Sequence, residues 1–181
     1  MDILNNRVVA GLLCVVMVVA SSVVGGGATL GSLRGQTAAI FTLGQSGAPG
    51  IQSDLNEIAA QSFNVTVIAG RYLQEDYTGI VQVLNSRDAL LSAAGPREKH
   101  RAAGELVAAT NMLRTTLDGL DLSAQDQNLL ASCVVEINSR LMLIAGSGYN
   151  QSALYFNHTL ERFPANILGR AARVSPLELY E

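Results

Sequence analysis

Apolar positions along this chain follow two regimes. From Val8 to Leu33 no charged residue occurs, and Val8 to Val24 (VVAGLLCVVMVVASSVV) is apolar on nearly every face. Beyond residue 53, apolar positions recur at alternating spacings of three and four, the signature of a helix with one buried stripe. One such seam is Leu55, Ile58, Ser62, Val65, Ala69 and Tyr72; it resumes at Ile80, Leu84, Arg87 and Leu91, with Arg87 as a polar interruption. A second is Ala103, Leu106, Thr110, Leu113, Leu117 and Leu120, and a third is Leu130, Val134, Ile137, Leu141 and Ile144. Stripes of this kind are core far more often than cofactor boxes. No segment alternates with a period of two. The pattern predicts an all-α chain: an N-terminal transmembrane helix, then an elongated antiparallel bundle of about four helices.

Breakers and caps set the expected boundaries. Ser32 to Leu43 extends the membrane helix outward, and GQSGAPG at Gly44–Gly50 interrupts it, because Gly costs about 1 and Pro about 3 kcal/mol relative to Ala inside a helix. Ser53 is expected to cap the next helix, with Asp54 and Glu57 in its first turn, where the dipole favours acids. That helix is predicted to run unbroken from Ser53 to Ala94, roughly 60 Å at 1.5 Å per residue. Gly95 stops it, and Pro96 opens the following helix, which ends near Gly119. Ser123 with Asp126 resembles a capping box opening a last long helix that Pro164 terminates. Glu136 and Arg140 form an i,i+4 pair expected on its outer face.

The uncharged run is long enough to span a bilayer, whose hydrocarbon core of about 30 Å takes about 20 apolar residues. The chain therefore divides into an N-terminal segment, 1–33, with contact to the bilayer through residues 8–30, and a helical domain with a short tail, 34–181. A cleaved signal peptide is the rival reading, with Arg7 as the basic start and Ala20, Ser21 and Ser22 near a cleavage point. The apolar core is longer than the usual 7–15 residues, which favours an anchor. A lipoprotein signal fails because Leu13 precedes Cys14. Arg7 and the α-amino group, offset by Asp2, compete with Arg34, so the flanking charges do not orient the helix.

Composition sharpens this picture. Hydrophobic residues make up 49% of the chain but aromatics only 5%, with no Trp, which suits Ala/Leu/Val-rich helices better than a β-sandwich. The net charge of −3 gives no electrostatic case for nucleic acid. Cys14 and Cys133 do not pair by pattern, and they place the domain on neither side of a membrane. His100, in Arg97–Arg101, reads as part of a solvated helix start. His158 lies beside Glu161 on a helix, with a surface or packing role. Neither has a nucleophile motif nearby. Glu75 and Asp76 are adjacent and would diverge on a helix. Gly25, Gly26 and Gly27 follow no strand, so they are no phosphate loop. Arg162, Arg170 and Arg173 form a small basic group that reads as solvated charge, with contact to anionic headgroups as the alternative if the tail folds back. No catalytic constellation, cofactor or metal set emerges, and the expectation is a protein that is not an enzyme.

The most specific pattern lies near the C-terminus. Tyr149-Asn150 is followed seven residues on by Phe156-Asn157, and again by Phe163-Pro164, with Asn166 beyond. Heptad spacing places Tyr149, Phe156 and Phe163 on one helix face, drifting about 20° per repeat. The asparagines lie beside them, placed to bond neighbouring helices. This arrangement, with the terminus Pro176-Leu177-Glu178-Leu179-Tyr180-Glu181, the membrane segment and Gly70-Arg71-Tyr72 on the second helix, resembles the bacterial LemA family. One departure is GQSGAPG in the first helix, where the family carries Tyr-Asn on an unbroken helix. The resemblance implies a single-pass protein of the bacterial cell membrane, with its short N-terminus outside and an elongated antiparallel bundle. It leads to the expectation of a non-enzymatic scaffold or protein-interaction module contacting other membrane-associated proteins, with homo-oligomers a further expectation. A ligand-sensing bundle signalling through the anchor is the alternative. The stripe Tyr149, Asn150, Phe156, Asn157, Phe163, Pro164 and Asn166 is the expected interaction or packing surface.

Overall fold

A computed structural model of the chain describes residues 7–45 and 47–181; Asp2 and the α-amino group lie outside them. Among the described residues seven helices follow in order: α1 (Arg7–Leu43), α2 (Ile51–Ala69), α3 (Thr78–Ser92), α4 (Pro96–Asp118), α5 (Ala124–Ala145), α6 (Tyr149–Glu161) and α7 (Ala165–Ala171). Among the described residues there is no strand, only an isolated bridge between Gln45 and Ala48. The all-helical expectation holds. So does the interruption at Gly44–Gly50, where Gly44 takes φ +85°, a conformation that glycine alone adopts readily.

The chain divides into two compact units. One comprises the chain up to Ala38 with Gln151–Leu177; the other comprises Ala39–Asn150 with Glu178–Glu181. In the second, α2 packs against α3, α4 and α5, and α3 packs against α4. Its core is built from the expected stripes: Leu55, Ile58, Val65, Leu106, Leu113 and Leu117 are each at most 1% exposed. Asp54, in the first turn of α2, is also buried. It meets Arg140 at 3.2 Å, and Arg140 bonds Glu136 at 2.6 Å. The Glu136–Arg140 pair is present, but Arg140 faces inward toward α2 rather than lying only on an outer face. Glu136 first, then Asp54, pushes the Arg140 guanidinium pKa up.

Five boundaries and registers differ from expectation. The stretch Ser53–Ala94 is two helices, α2 and α3, separated by turns from Gly70 to Tyr77. Gly70 closes α2, and Glu75 and Asp76 sit in the connection rather than on a helix. Along α3, Val83 and Leu90 are buried while Leu84 is half-buried and Leu91 exposed. Arg87 lies over the Phe63 ring at 5.2 Å, which accounts for a cation in the seam. Gly50, not Ser53, is the N-cap of α2: Ile51 is buried at its first position, and the Ser53 amide already donates to the Gly50 carbonyl at 2.9 Å. The stretch Ser123–Pro164 is likewise divided, because Gly146-Ser147-Gly148 ends α5 and Gly148 adopts φ +69°. Along α5 the buried positions are Leu130, Cys133, Ile137 and Ile144, with Val134 and Leu141 half-buried.

Within the first unit α1 runs through Gly25–Gly27 without a break. Its glycines admit α7 at close range: a Cβ on Gly26 would lie 2.7 Å from Leu168 Cδ1, and one on Gly27 would lie 2.5 Å from Ala172 Cβ. Upstream, Leu12, Val15, Met17, Val18 and Val24 stay 60–72% exposed. Two stretches are long and apolar enough to cross a membrane, Val9–Leu43 with mean hydropathy 2.3 and Ala124–Glu161 with 1.5. The second is broken at Gly146–Gly148 and carries Asp126, Glu136 and Arg140, so it is a bundle element. The first carries no charge before Arg34 within the span.

Candidate functional site

The C-terminal stripe grips the chain's own terminus. In the second unit, Asn150 uses both ends of its side-chain amide on one residue: Nδ2 donates to the Tyr180 carbonyl at 2.9 Å, and Oδ1 accepts from the Tyr180 amide at 2.8 Å. The amide thereby imitates one rung of a β-ladder for a segment that has no strand partner. Tyr149, 2% exposed, donates its hydroxyl to the Glu178 carbonyl at 2.6 Å. Its ring meets Phe41 edge-on with centroids 5.2 Å apart, Phe41 lies 6.0 Å from Tyr180, and His100 stands edge-on to Tyr180 at 4.9 Å. Burial pushes the Tyr180 phenol up to about 12. The Glu178 carboxylate lies against Gly95, the N-cap of α4, where a Cβ would displace it.

The first unit repeats the device. Asn157 Nδ2 donates to the Leu177 carbonyl at 2.9 Å, and its Oδ1 accepts from the Leu177 amide at 2.8 Å. Phe156 beside it is completely buried, as is Ala153. Arg34 Nε adds a bond of 2.9 Å to the Ser175 carbonyl.

The structure keeps Tyr149, Asn150, Phe156 and Asn157 in one helix but not the remaining stripe residues. Helix α6 ends at Glu161; Phe163 is 80% exposed, and Pro164 serves as the N-cap of α7. Phe163 is therefore no third ring of the stripe, because Pro164 cannot continue the helix that would carry it there. Asn166 is half-buried, its side-chain oxygen is without a hydrogen bond, and it grips no backbone. The asparagines bond the terminus rather than neighbouring helices, a role that helical periodicity does not encode.

A second cluster, also in the second unit, was only half legible. The capping box is present, with the Asp126 amide donating to Ser123 Oγ at 3.1 Å. The Asp126 carboxylate also receives the Tyr72 hydroxyl at 2.6 Å, the Ser123 hydroxyl at 2.9 Å and the Arg71 guanidinium. Tyr72 Oη in turn accepts the Ser123 amide at 3.0 Å. Gly70-Arg71-Tyr72 is thus the clasp between the end of α2 and the start of α5. The Tyr72 hydroxyl, opposed by burial and assisted by Ser123 and Arg71, holds the Asp126 carboxyl below its ordinary value of 3.8. The pairing of Arg71 and Tyr72 with an acid 54–55 residues away carries no local signal.

The remaining candidates are dispersed. His158 contacts Glu161 at 3.5 Å on an exposed face, while His100 is occupied with Tyr180. Cys14 is exposed on α1, whereas Cys133 is buried, which pushes its thiol pKa up. A groove of about 280 Å³ lies between α2 and α5, lined by Gln61, Asn64, Arg71, Ser132 and Cys133 among others. It is open and slightly under the size of ordinary small-molecule pockets. Among the described residues no three His, Cys, Asp or Glu side chains converge as a metal would need. No family model matches the chain, and comparison with curated proteins and with solved structures gives no match.

Proposed function

We propose that this chain is a single-pass, membrane-anchored helical bundle of the LemA type, acting at a bacterial membrane as a non-enzymatic scaffold for other membrane-associated proteins. The observation that carries the anchor is the surface of α1. Leu12, Leu13, Val15, Val16, Met17, Val18, Val19 and Val24 are 42–72% exposed along one continuous helix. An uncovered apolar patch of that extent is untenable in water, and a bilayer is the solvent that matches its length. The aromatic-Asn pairs, Gly70-Arg71-Tyr72 and the terminus they engage support the family reading. Helices α2 to α5 suit an antiparallel bundle, since short connections join successive helices.

The scaffold role is supported by α5. Its inner face joins the core, while Val135 and Met142, seven residues apart on one outer face, are 67% and 76% exposed. That outer apolar stripe suits a helical partner better than water. Two measurements test the reading. Alkaline carbonate should leave the protein in the membrane pellet and detergent should release it; release by carbonate alone would sink the anchor. Photo-crosslinkers at Val135 and Met142 in intact cells should yield a discrete adduct that a crosslinker at exposed Arg101 does not. Identical patterns at all three positions would remove the scaffold role.

A further inference from the structure

Resting on the anchor reading, we propose that the segment from Arg162 to Arg173 is a second membrane contact, an interfacial foot that binds anionic lipid headgroups. The case begins with where α7 sits in its own unit. Leu168 and Ala172 pack on Gly26 and Gly27 of α1, and Leu30 Cδ1 lies within 3.9 Å of where a Cβ on Gly169 would stand. From Val9 to Gly27 a helix rises about 27 Å, close to one hydrocarbon thickness of about 30 Å. An anchor that begins in the bilayer at Val9 therefore leaves it where α7 is docked. Its packing on α1 places the foot near headgroup depth when α1 stands close to the bilayer normal.

Its outward side chains fit that depth. Phe163 is 80% exposed and Ile167 is 58% exposed, although both are large and apolar. Arg162, Arg170 and Arg173 are exposed beside them, and none of the three forms an ion pair with another described residue. Glu161 is the one acid in Gln151–Leu177, and it faces His158. Three arginines less one glutamate give this segment +2, whereas the whole chain carries −3. Concentrating positive charge at the membrane edge of an acidic protein is what attraction to an anionic leaflet requires. Phe163 and Ile167 supply the apolar part, as the rings and aliphatic chains of interfacial helices do. The glycines on α1 are then explained as well, because only a missing Cβ lets α7 approach the anchor so closely.

The absence of Trp from the chain provides a clean probe. Full-length Phe163→Trp is reconstituted in vesicles of phosphatidylcholine alone or with about a third phosphatidylglycerol, each with and without acyl-brominated lipid. In the anionic vesicles its emission should shift to the blue and be quenched by brominated lipid. Replacing Arg162, Arg170 and Arg173 together with Gln should abolish the shift, and molar salt should weaken it. Val16→Trp, inside the proposed span, serves as the second reporter. If Val16→Trp is quenched while Phe163→Trp is not, the foot is refuted and the anchor stands; if neither is quenched, the anchor reading falls and the foot with it. Equal quenching in both lipids, unchanged by the arginine substitutions, would refute headgroup recognition. Ile167→Trp repeats the measurement if circular dichroism shows that Phe163→Trp disturbs the fold.

Discussion

The same aliphatic side chains have opposite fates in two regions of this molecule. In α4, Leu106, Leu113 and Leu117 are completely buried, whereas in α1 Val18 and Val24 are 66% and 72% exposed. The difference lies in what surrounds them. In α4 the leucines are separated by polar and small residues, so that they form a stripe that a neighbouring helix can cover. In α1 apolar residues occupy every face of the helix, and packing against one neighbour would leave most of them uncovered. A stripe can be covered by one neighbouring helix; an all-round apolar surface cannot.

That contrast can be tested by truncation. Phe156→Ala, at a fully buried ring, is expected to destabilise the detergent-solubilised full chain by about 3–5 kcal/mol, whereas Val18→Ala should leave its unfolding curve within a few tenths. Leu141→Ala, at a half-buried position, should fall between them. Equal effects at Phe156 and Val18 would break the distinction between buried stripe and uncovered helix.

Polar clasps come next in size. Tyr72→Phe removes the hydroxyl that donates to Asp126 and accepts from Ser123, and about 1–2 kcal/mol of stability should go with it. The acid limb of stability offers an independent check. The Asp126 carboxyl titrates below its ordinary 3.8 when folded, so its contribution is complete above that value and is lost as pH falls through the lower, folded pKa. Asp126→Asn should flatten that part of a stability-versus-pH curve. An unchanged acid limb would show that the clasp is dispensable.

Asn150→Ala and Asn157→Ala should each cost about 1 kcal/mol, since each strands one amide and one carbonyl of the terminus. The sharper readout is hydrogen exchange, which should accelerate at Tyr180 in the first variant and at Leu177 in the second. Exchange unchanged at both would mean the terminus is held by other contacts. The smallest effect is expected from Tyr180, whose burial raises its phenol to about 12. The stability tied to its neutral form is intact below its unfolded value near 10 and is lost as pH rises through the folded one. Phenolate absorbance should show a late-titrating component, and Tyr180→Phe should diminish it.

Much of this architecture was legible in the residues themselves. The seam of α2 as far as Ala69, that of α4 as far as Leu117, the Pro96 start, the Ser123–Asp126 box and the break at Gly44–Gly50 depend on propensity and periodicity within a few residues, and they hold; Tyr72 and Leu120, expected in the seams, lie beyond the helix ends, Leu120 37% exposed. Two long helices were not legible as broken. Gly70 and Gly146 each look tolerable inside a helix, and only the clasp at Asp126 and the turn at Gly148 show why the chain bends there. In α3 the buried residues are Val83 and Leu90, which continue the seven-residue count of Leu55, Ser62 and Ala69, where Leu84 and Leu91 were expected.

The sequence by itself determined that the chain is helical and that one helix is long and apolar on every face, because both follow from local spacing and side-chain chemistry. Tertiary structure alone decided what the polar groups bond: Asn150 with Tyr180, Asn157 with Leu177, Arg71 and Tyr72 with Asp126, across 20 to 55 residues of chain. The physical reason is the range of the forces. Periodicity is fixed within a turn or two of helix, whereas a hydrogen-bond partner is whichever group the folded chain brings within 3 Å.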